Sequence, residues 1–208
     1  MKNGPFVATC PVVLASGSPR RQEFLHSFGI DFTVDTDGAQ EPAPEEGENA
    51  VTYACRSACA KTVPVAARYS DSCVIGADTV VVLDGEIMGK PQNNDHAFDM
   101  LSRLAGVRHQ VISACCISLP RRTQPLVLHT VTDVHMYKWD AATLRAYIAT
   151  GEPADKAGAY GIQGIGAFLV SRIDGSWSNV VGMPVTELLE VLKANGVVAP
   201  VVTGGNLA

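Results

Sequence analysis

Short apolar runs alternate with segments of helical spacing along the whole chain. Residues 12–15 (VVLA) read as a buried strand, and Pro19 then suits the first turn of a helix that runs to about Phe28. Ser18 is the expected N-cap and Gly29 the expected stop. Residues 31–34 (DFTV) read as a second strand, and 36–49 (TDGAQEPAPEEGEN), with two prolines and two glycines, as a loop. From Ala50, the positions Val51, Ala54, Cys55, Ala58 and Thr62 share one helical side, and Pro64 is expected to end or kink that helix.

Residues 73–83 (CVIGADTVVVL) read as a strand with a glycine near its start, followed by a turn at Asp84-Gly85. A helix over 94–105 carries Ala97, Met100, Leu101 and Leu104 on one face and stops at Gly106. Two long β-like runs, 109–119 and 126–137, are joined by a basic, proline-containing turn. A helix over 139–150, a strand over 167–173 and a last helix from Pro184 to about Asn195 complete the pattern, with a frayed tail expected from 199 to 208. Helices and strands interleave with hairpins in the middle, which predicts a mixed α/β fold rather than strict βαβ repetition.

Composition narrows the class. The 208 residues, 47% hydrophobic and 18% charged, suit one globular unit. The formal net charge of -5 argues against non-specific nucleic-acid binding, so an anionic ligand has to be held by local cations. No stretch reaches the ~20 apolar residues of a membrane helix, and the start of the chain does not read as a signal peptide. The expectation is a cytoplasmic protein with no membrane partner. The six cysteines form no CxxC pair. They read mainly as buried reduced thiols, although the i,i+4 pair Cys55 and Cys59 has a spacing that a metal could use.

Candidate chemistry concentrates in three stretches. In SGSPRR (16–21), a helix N-terminus offers free N–H groups and a positive dipole end. Ser16 and Ser18 add hydroxyl donors and Arg20 and Arg21 add fixed positive charge, Arg20 as a fork that matches phosphate oxygens. The P-loop pattern is absent. In GADTVV (76–81), Asp78 interrupts an apolar strand, which is costly unless the carboxylate is paired or on a metal, and Thr79 adds a hydroxyl beside it. In EPADKAGAYGIQGIGAF (152–168), four glycines mark a sharply turning loop, Glu152, Asp155 and Lys156 supply both signs of charge, and the Gln163 amide can read a base edge. Lys61 and Lys90 are two of only six lysines and stand in otherwise non-basic surroundings. No GxSxG elbow supports a serine nucleophile.

SGSPRR, the Lys61 helix, GADTVVVLDGEIMGKP (76–91), LAGVRHQV (104–111), TGEPADKAGAYGIQGIGAFLV (150–170) and NVVGMP (179–184) together resemble the Maf family of nucleoside triphosphate pyrophosphatases, from about Val12 to Leu192. The resemblance implies an α/β fold with a mixed sheet and flanking helices, two lobes spanning 1–198 as one domain, and an architecture like that of inosine triphosphate pyrophosphatases with a central cleft. It implies cleavage of a nucleoside triphosphate to the monophosphate and pyrophosphate with a divalent metal, Mg²⁺ or Mn²⁺.

The resemblance makes Asp78 the proton acceptor and ties Arg20, Thr79 and Gln163 to substrate selection. Ser16, Glu41, Lys61, Lys90 and Asp155 match other polar cleft positions. Glu41 and Asp78 are the hard oxygen donors best suited to the metal. Lys61 and Lys90, with Arg20 and the helix amides, form the cation cluster for a polyphosphate. The DKAGAYGIQG form resembles the branch acting on dTTP and UTP. The alternatives are action on modified purine nucleotides such as 7-methyl-GTP, or nucleotide binding with little turnover in the regulation of cell division. A homodimer is consistent with the resemblance.

Overall fold

The computed structural model describes residues 4–38 and 40–201. In chain order its elements are β1 (Phe6–Ala8), β2 (Val12–Leu14), α1 (Pro19–Ser27), β3 (Thr33–Val34), α2 (Ala50–Ala66), β4 (Cys73–Leu83), β5 (Glu86–Met88), α3 (Asn94–Leu104), β6 (Arg108–Ser118), β7 (Leu126–Met136), α4 (Ala141–Ile148), β8 (Val170–Asp174), α5 (Trp177–Val181), α6 (Val185–Ala194) and β9 (Val198–Pro200). Three 3-10 turns occupy Glu152–Asp155, Ala157–Ala159 and Ile165–Leu169.

A seven-stranded sheet runs in the order β3-β2-β4-β6-β7-β8, with β5 also on β4. The β2 strand is parallel to β3 and β4, and every other pairing in this sheet is antiparallel, so the sheet is mixed and carries helices on both faces. The pairing along β4 creates the central feature. The β6 strand covers one edge of β4 from Val74 to Val82. On the other edge β2 pairs only with Cys73 to Ile75, and β5 only with Val81 to Leu83. The stretch from Gly76 to Val80 is therefore left without a strand neighbour on that side. The Asp84-Gly85 turn that brings β5 back has positive φ at both residues, 50° and 84°, as a two-residue hairpin requires.

Alternation along β4 and β6 divides the core. On one face, Ile75, Ala77, Cys115 and Ile117 pack with Leu25 of α1 and Leu188 and Leu192 of α6. Farther along the same face, Val81, Leu83 and Val111 pack with Met100, Leu101 and Leu104 of α3 and with Leu144, Tyr147 and Ile148 of α4. The residues between these two apolar clusters are Thr79 and Ser113, both polar and cross-strand partners. The opposite face is covered by α2, where Tyr53, Ala54 and Ala58 meet Val80, Val82, Ile112, Ala114 and Cys116.

Several elements differ from expectation. Phe6–Ala8 and Val198–Pro200 pair antiparallel as a separate two-stranded sheet, so Ala199 and Pro200 belong to a strand rather than to a frayed tail. Residues 202–208 of that expected tail lie outside the described residues. Pro64 sits inside α2, which ends two residues later at Ala66. The strand expected over 167–173 starts only at Val170, because Ile165–Leu169 is wound into a 3-10 turn whose first N–H groups donate to the Glu152 carboxylate. The short helix Trp177–Val181 has no counterpart in the sequence reading. Ser18 occupies the N-cap position of α1, but its side chain makes no capping bond.

All six cysteines are free thiols. The thiols of Cys59 and Cys116 are hydrogen-bonded, which brings Cys59 down to about 7. Among the described residues no group of three or more His, Cys, Asp or Glu side chains is gathered for a metal, so Cys55 and Cys59 lack a third ligand of that kind. No helix among the described residues is long and apolar enough to cross a membrane.

Candidate active site

The uncovered stretch of β4 opens into a cleft of about 800 Å³. Its lining includes residues 15–21, Glu41, Lys61, Asp78, Thr79, Lys90, Asp155, Lys156 and Gln163. The residues that the sequence assigns to catalysis, substrate or the carboxylate metal pair therefore all line one cavity, whereas Glu152, Cys55 and Cys59 do not. The β2 strand delivers SGSPRR to it, because the Ala15 N–H still bonds to Ile75 before the chain turns into α1.

Asp78 and Lys61 form the most enclosed pair. Lys61 Nζ donates to Asp78 Oδ1 at 2.6 Å and to Glu41 Oε2 at 2.8 Å. The Asp78 side chain is only 7% exposed and that of Lys61 15%. The second oxygen of Asp78, Oδ2, is buried with no hydrogen-bond partner. An ionised carboxylate oxygen in that state is costly unless something binds it. Glu41 is half exposed at the cleft mouth. Burial raises its carboxyl, but the Lys61 ammonium, Lys90 and Arg21 outweigh burial and hold it below the ordinary value.

The contact between Lys61 and Asp78 depends on how closely α2 approaches the sheet. A Cβ on Gly76, two residues before Asp78, would overlap Thr62 Oγ1 and lie 3.2 Å from the Ala58 carbonyl oxygen. Glycine at position 76 thus allows α2 to settle where Lys61, next to Thr62, meets the carboxylate.

The two arginines of SGSPRR have different surroundings. Arg21 Nε donates to the Gly182 carbonyl at 3.0 Å. Its Nη1 donates to Ser16 Oγ at 2.9 Å and to the Ala77 carbonyl at 2.9 Å, and Nη2 to Thr79 Oγ1 at 3.2 Å. Four N–H···O bonds thus go to protein acceptors, and Arg21 ties α1, β4 and the chain after α5 together. Burial pulls its pKa below the usual value, with Asp78 pushing back up. Arg20 makes no hydrogen bond or ion pair among the described residues, so its guanidinium is the one at this end of the cleft left for a ligand. Lys90 is exposed at the mouth and likewise makes no ion pair or hydrogen bond among the described residues.

The glycine-rich loop is braced from within. Lys156 Nζ donates to Asp155 Oδ1 at 2.7 Å and to the Glu152 carbonyl at 2.7 Å, so two of its three protons go to the loop itself. That bond is the main reason the Asp155 carboxyl lies below its ordinary value. The Glu152 carboxylate accepts from the N–H of Ile165 at 3.1 Å and of Gly166 at 2.7 Å, and Tyr147 Oη accepts from Gly161 N–H at 3.2 Å. Gln163 lies between these anchors, and its amide has no hydrogen-bond partner among the described residues.

In the sequence Glu152 stands out only as a charge, and no local pattern marks Tyr53, Tyr160 or Gly182. Tyr53, Tyr160 and Gly182 line the cleft. Ser113 is a polar residue inside an apolar strand run, the same signal that singled out Asp78.

The donor set suits a hard divalent cation. The Asp78 and Glu41 carboxylates meet at Lys61, Asp78 through Oδ1 with Oδ2 left unpaired, and Mg²⁺ commonly uses one or two carboxylates with water and phosphate oxygens completing the shell.

A family model described as Maf-like protein matches residues 11–195. A protein named dTTP/UTP pyrophosphatase in Oleidesulfovibrio alaskensis is 71% identical over 199 residues, covering 95% of this chain and 91% of the relative. One of the same name in Nitratidesulfovibrio vulgaris is 52% identical over 195 residues, covering 94% and 92%. Among solved structures, the nucleoside-triphosphatase / dITP/XTP pyrophosphatase of Mycobacterium abscessus is similar with a TM-score of 0.42 and 13% identity, covering 89% of this chain and 95% of that one.

Proposed function

The chain belongs to the Maf-like family, and on that premise we propose that it hydrolyses dTTP and UTP to the monophosphate and pyrophosphate. The names of relatives 71% and 52% identical over nearly the full chain support this reading. The observation that carries the chemistry is the Asp78 carboxylate, with Oδ1 on Lys61 and Oδ2 buried and unpaired at the uncovered stretch of β4.

Asp78 is the general base. Water adds to a phosphorus of the α–β anhydride, its proton passes to Asp78, and the α–β P–O bond breaks to release pyrophosphate. Lys61 orients the carboxylate through Oδ1 and leaves Oδ2 for the water or a cation. The triphosphate is held by Arg20 and Lys90, which both line the cleft, together with the free N–H groups at the start of α1. Ser16 and Arg21, hydrogen-bonded to each other, fix the shape of that end, and Ser18 lines the cleft with them. Asp155 and Lys156 hold the glycine-rich loop, whose Gln163 amide reads the base.

A divalent metal, Mg²⁺ or Mn²⁺, held by Asp78 and Glu41, would neutralise charge on the phosphate oxygens during transfer. Glu41 is already ionised through its contact with Lys61, so a cation meets two carboxylates without having to displace a proton from Glu41. A nucleotide-hydrolysing enzyme of this kind works in the cytoplasm and needs neither membrane nor nucleic acid.

The test is product analysis across common and methylated nucleoside triphosphates with Mg²⁺ or Mn²⁺. UMP or dTMP and pyrophosphate in equal amounts are expected, with dTTP and UTP turned over fastest. Nucleoside diphosphate with orthophosphate would contradict the reaction, and preference for a purine triphosphate would contradict the substrate.

A further inference from the structure

Beneath the cleft a chain of buried polar groups crosses the sheet between the two apolar clusters. Asn179, on α5, is completely buried. Its Oδ1 accepts from the Ser113 N–H at 3.0 Å, and its Nδ2 donates to the Val111 carbonyl at 2.9 Å and to Thr132 Oγ1 at 2.9 Å. A flipped amide would set N–H against N–H, so these three bonds fix its orientation. The Asn179 carbonyl accepts from Ser113 Oγ at 2.7 Å. Ser113 has one hydroxyl proton, and a carbonyl cannot donate, so that proton lies on Asn179.

The consequence reaches Thr79. Thr79 Oγ1 and Ser113 Oγ are 2.8 Å apart, and with the Ser113 proton already committed, Thr79 must be the donor. The competing acceptor, the Gly182 carbonyl, is farther at 3.3 Å. One lone pair of Thr79 Oγ1 receives Arg21 Nη2 at 3.2 Å. What Thr79 presents to the cleft is a single remaining lone pair and a methyl group. Ionised phosphate oxygens only accept, so this hydroxyl has nothing to offer them.

We propose, resting on the pyrimidine nucleotide reading of the cleft, that Ser113 and Asn179 are positioning residues for substrate selection: they lock the Thr79 hydroxyl as a hydrogen-bond acceptor that takes an N–H or O–H from the nucleoside. Two donors are common to dTTP and UTP, the imide N3–H of the base and the 3′-hydroxyl of the sugar. The lock acts on which nucleoside is admitted, so it reads out as a difference between nucleosides rather than as a change in rate common to all of them.

The experiment compares kcat/KM for UTP, N3-methyl-UTP and 3′-deoxy-UTP in the wild type, Ser113→Ala and Thr79→Val. In the wild type, the analogue lacking the donor that Thr79 meets loses roughly tenfold against UTP, and which analogue suffers identifies the source. In Ser113→Ala the Thr79 proton is free to turn toward the ligand, and in Thr79→Val the acceptor is gone, so the penalty shrinks toward parity in both. A general loss of folding or rate lowers all three substrates together and leaves the ratio unchanged.

No penalty for either analogue in the wild type overturns the proposal, as does a penalty that survives in Ser113→Ala. If Ser113→Ala does not fold, a wild-type penalty that persists in Thr79→Val overturns the acceptor assignment. An enzyme inert toward dTTP and UTP overturns the pyrimidine reading and this proposal with it, whereas an active enzyme without the penalty overturns this proposal alone.

Discussion

Asp78 gives one carboxylate oxygen to Lys61 at 2.6 Å and keeps the other buried with no hydrogen-bond partner. A pair built only for stability would satisfy both oxygens, since each unsatisfied buried acceptor costs about 1–3 kcal/mol. The arrangement instead leaves an oxygen free in the stretch of β4 that no strand covers.

Replacing Asp78 by Asn preserves shape and removes the base. Turnover of dTTP is expected to fall by about 10²–10⁴-fold, while nucleotide binding measured by titration calorimetry persists because Arg20 and Lys90 remain. Near-normal turnover would remove Asp78 from the proton-accepting role.

Gly76→Ala tests the approach of α2. The added Cβ overlaps Thr62 Oγ1, so the helix must shift and Lys61 with it. A stability loss of about 1–3 kcal/mol in urea is expected together with a fall in kcat. The double variant Gly76→Ala/Thr62→Ala removes the overlapping oxygen and should recover part of both. Recovery of neither would mean that Thr62 is not the obstacle.

Glu152→Gln tests the brace on the base-reading loop. The carboxylate accepts two N–H groups at the start of a 3-10 turn, and an amide retains one acceptor and adds a donor facing a donor. KM for UTP is expected to rise roughly tenfold, the scale of one lost charged hydrogen bond, with a smaller effect on kcat. An unchanged KM would show that Gln163 is held by other contacts.

His109 sets an acid limit on stability. Its imidazole is buried against Tyr160 Oη at 2.7 Å, and burial first, then the charge of His135, pull its pKa down to about 4. Above the unfolded value of about 6.5, both states hold it neutral and it contributes nothing. As pH falls below that, the unfolded chain takes up a proton that the folded chain refuses, so stability declines until about pH 4. A loss of about 2 kcal/mol between pH 7 and pH 5 is expected from urea melts, and His109→Gln should flatten that slope. Asp35 and Glu48, both held at about 2 by arginine partners, add their own losses only at lower pH, through the range of their folded values. An equal slope in His109→Gln would assign the effect elsewhere.

The long elements were legible because their apolar spacing is strong over many residues. Cys73–Leu83 and the hairpin of Arg108–Ser118 with Leu126–Met136 fall within a residue or so of the runs that predicted them. Phe6–Ala8 was not legible: three residues carry no period, and the partner strand lies near the other end of the chain. The start of β8 was misplaced because a carboxylate thirteen residues upstream winds Ile165–Leu169 into a turn, a contact that local propensity does not contain. Asp78 stood out as a charge inside an apolar strand. Ser113 sent a weaker version of the same signal, and its role depends on Asn179, 66 residues away. The difference between Arg20 and Arg21 also needed the fold, since only assembly brings Gly182 and Ala77 to Arg21.

The most direct measurement is a crystal structure with Mn²⁺ and an α,β-imido analogue of UTP that resists cleavage. The cation is expected on Asp78 Oδ2 and Glu41, with the triphosphate between Arg20, Lys61 and Lys90 and the base toward Gln163. A triphosphate bound away from the uncovered stretch of β4, with Asp78 far from both metal and phosphorus, would contradict the account.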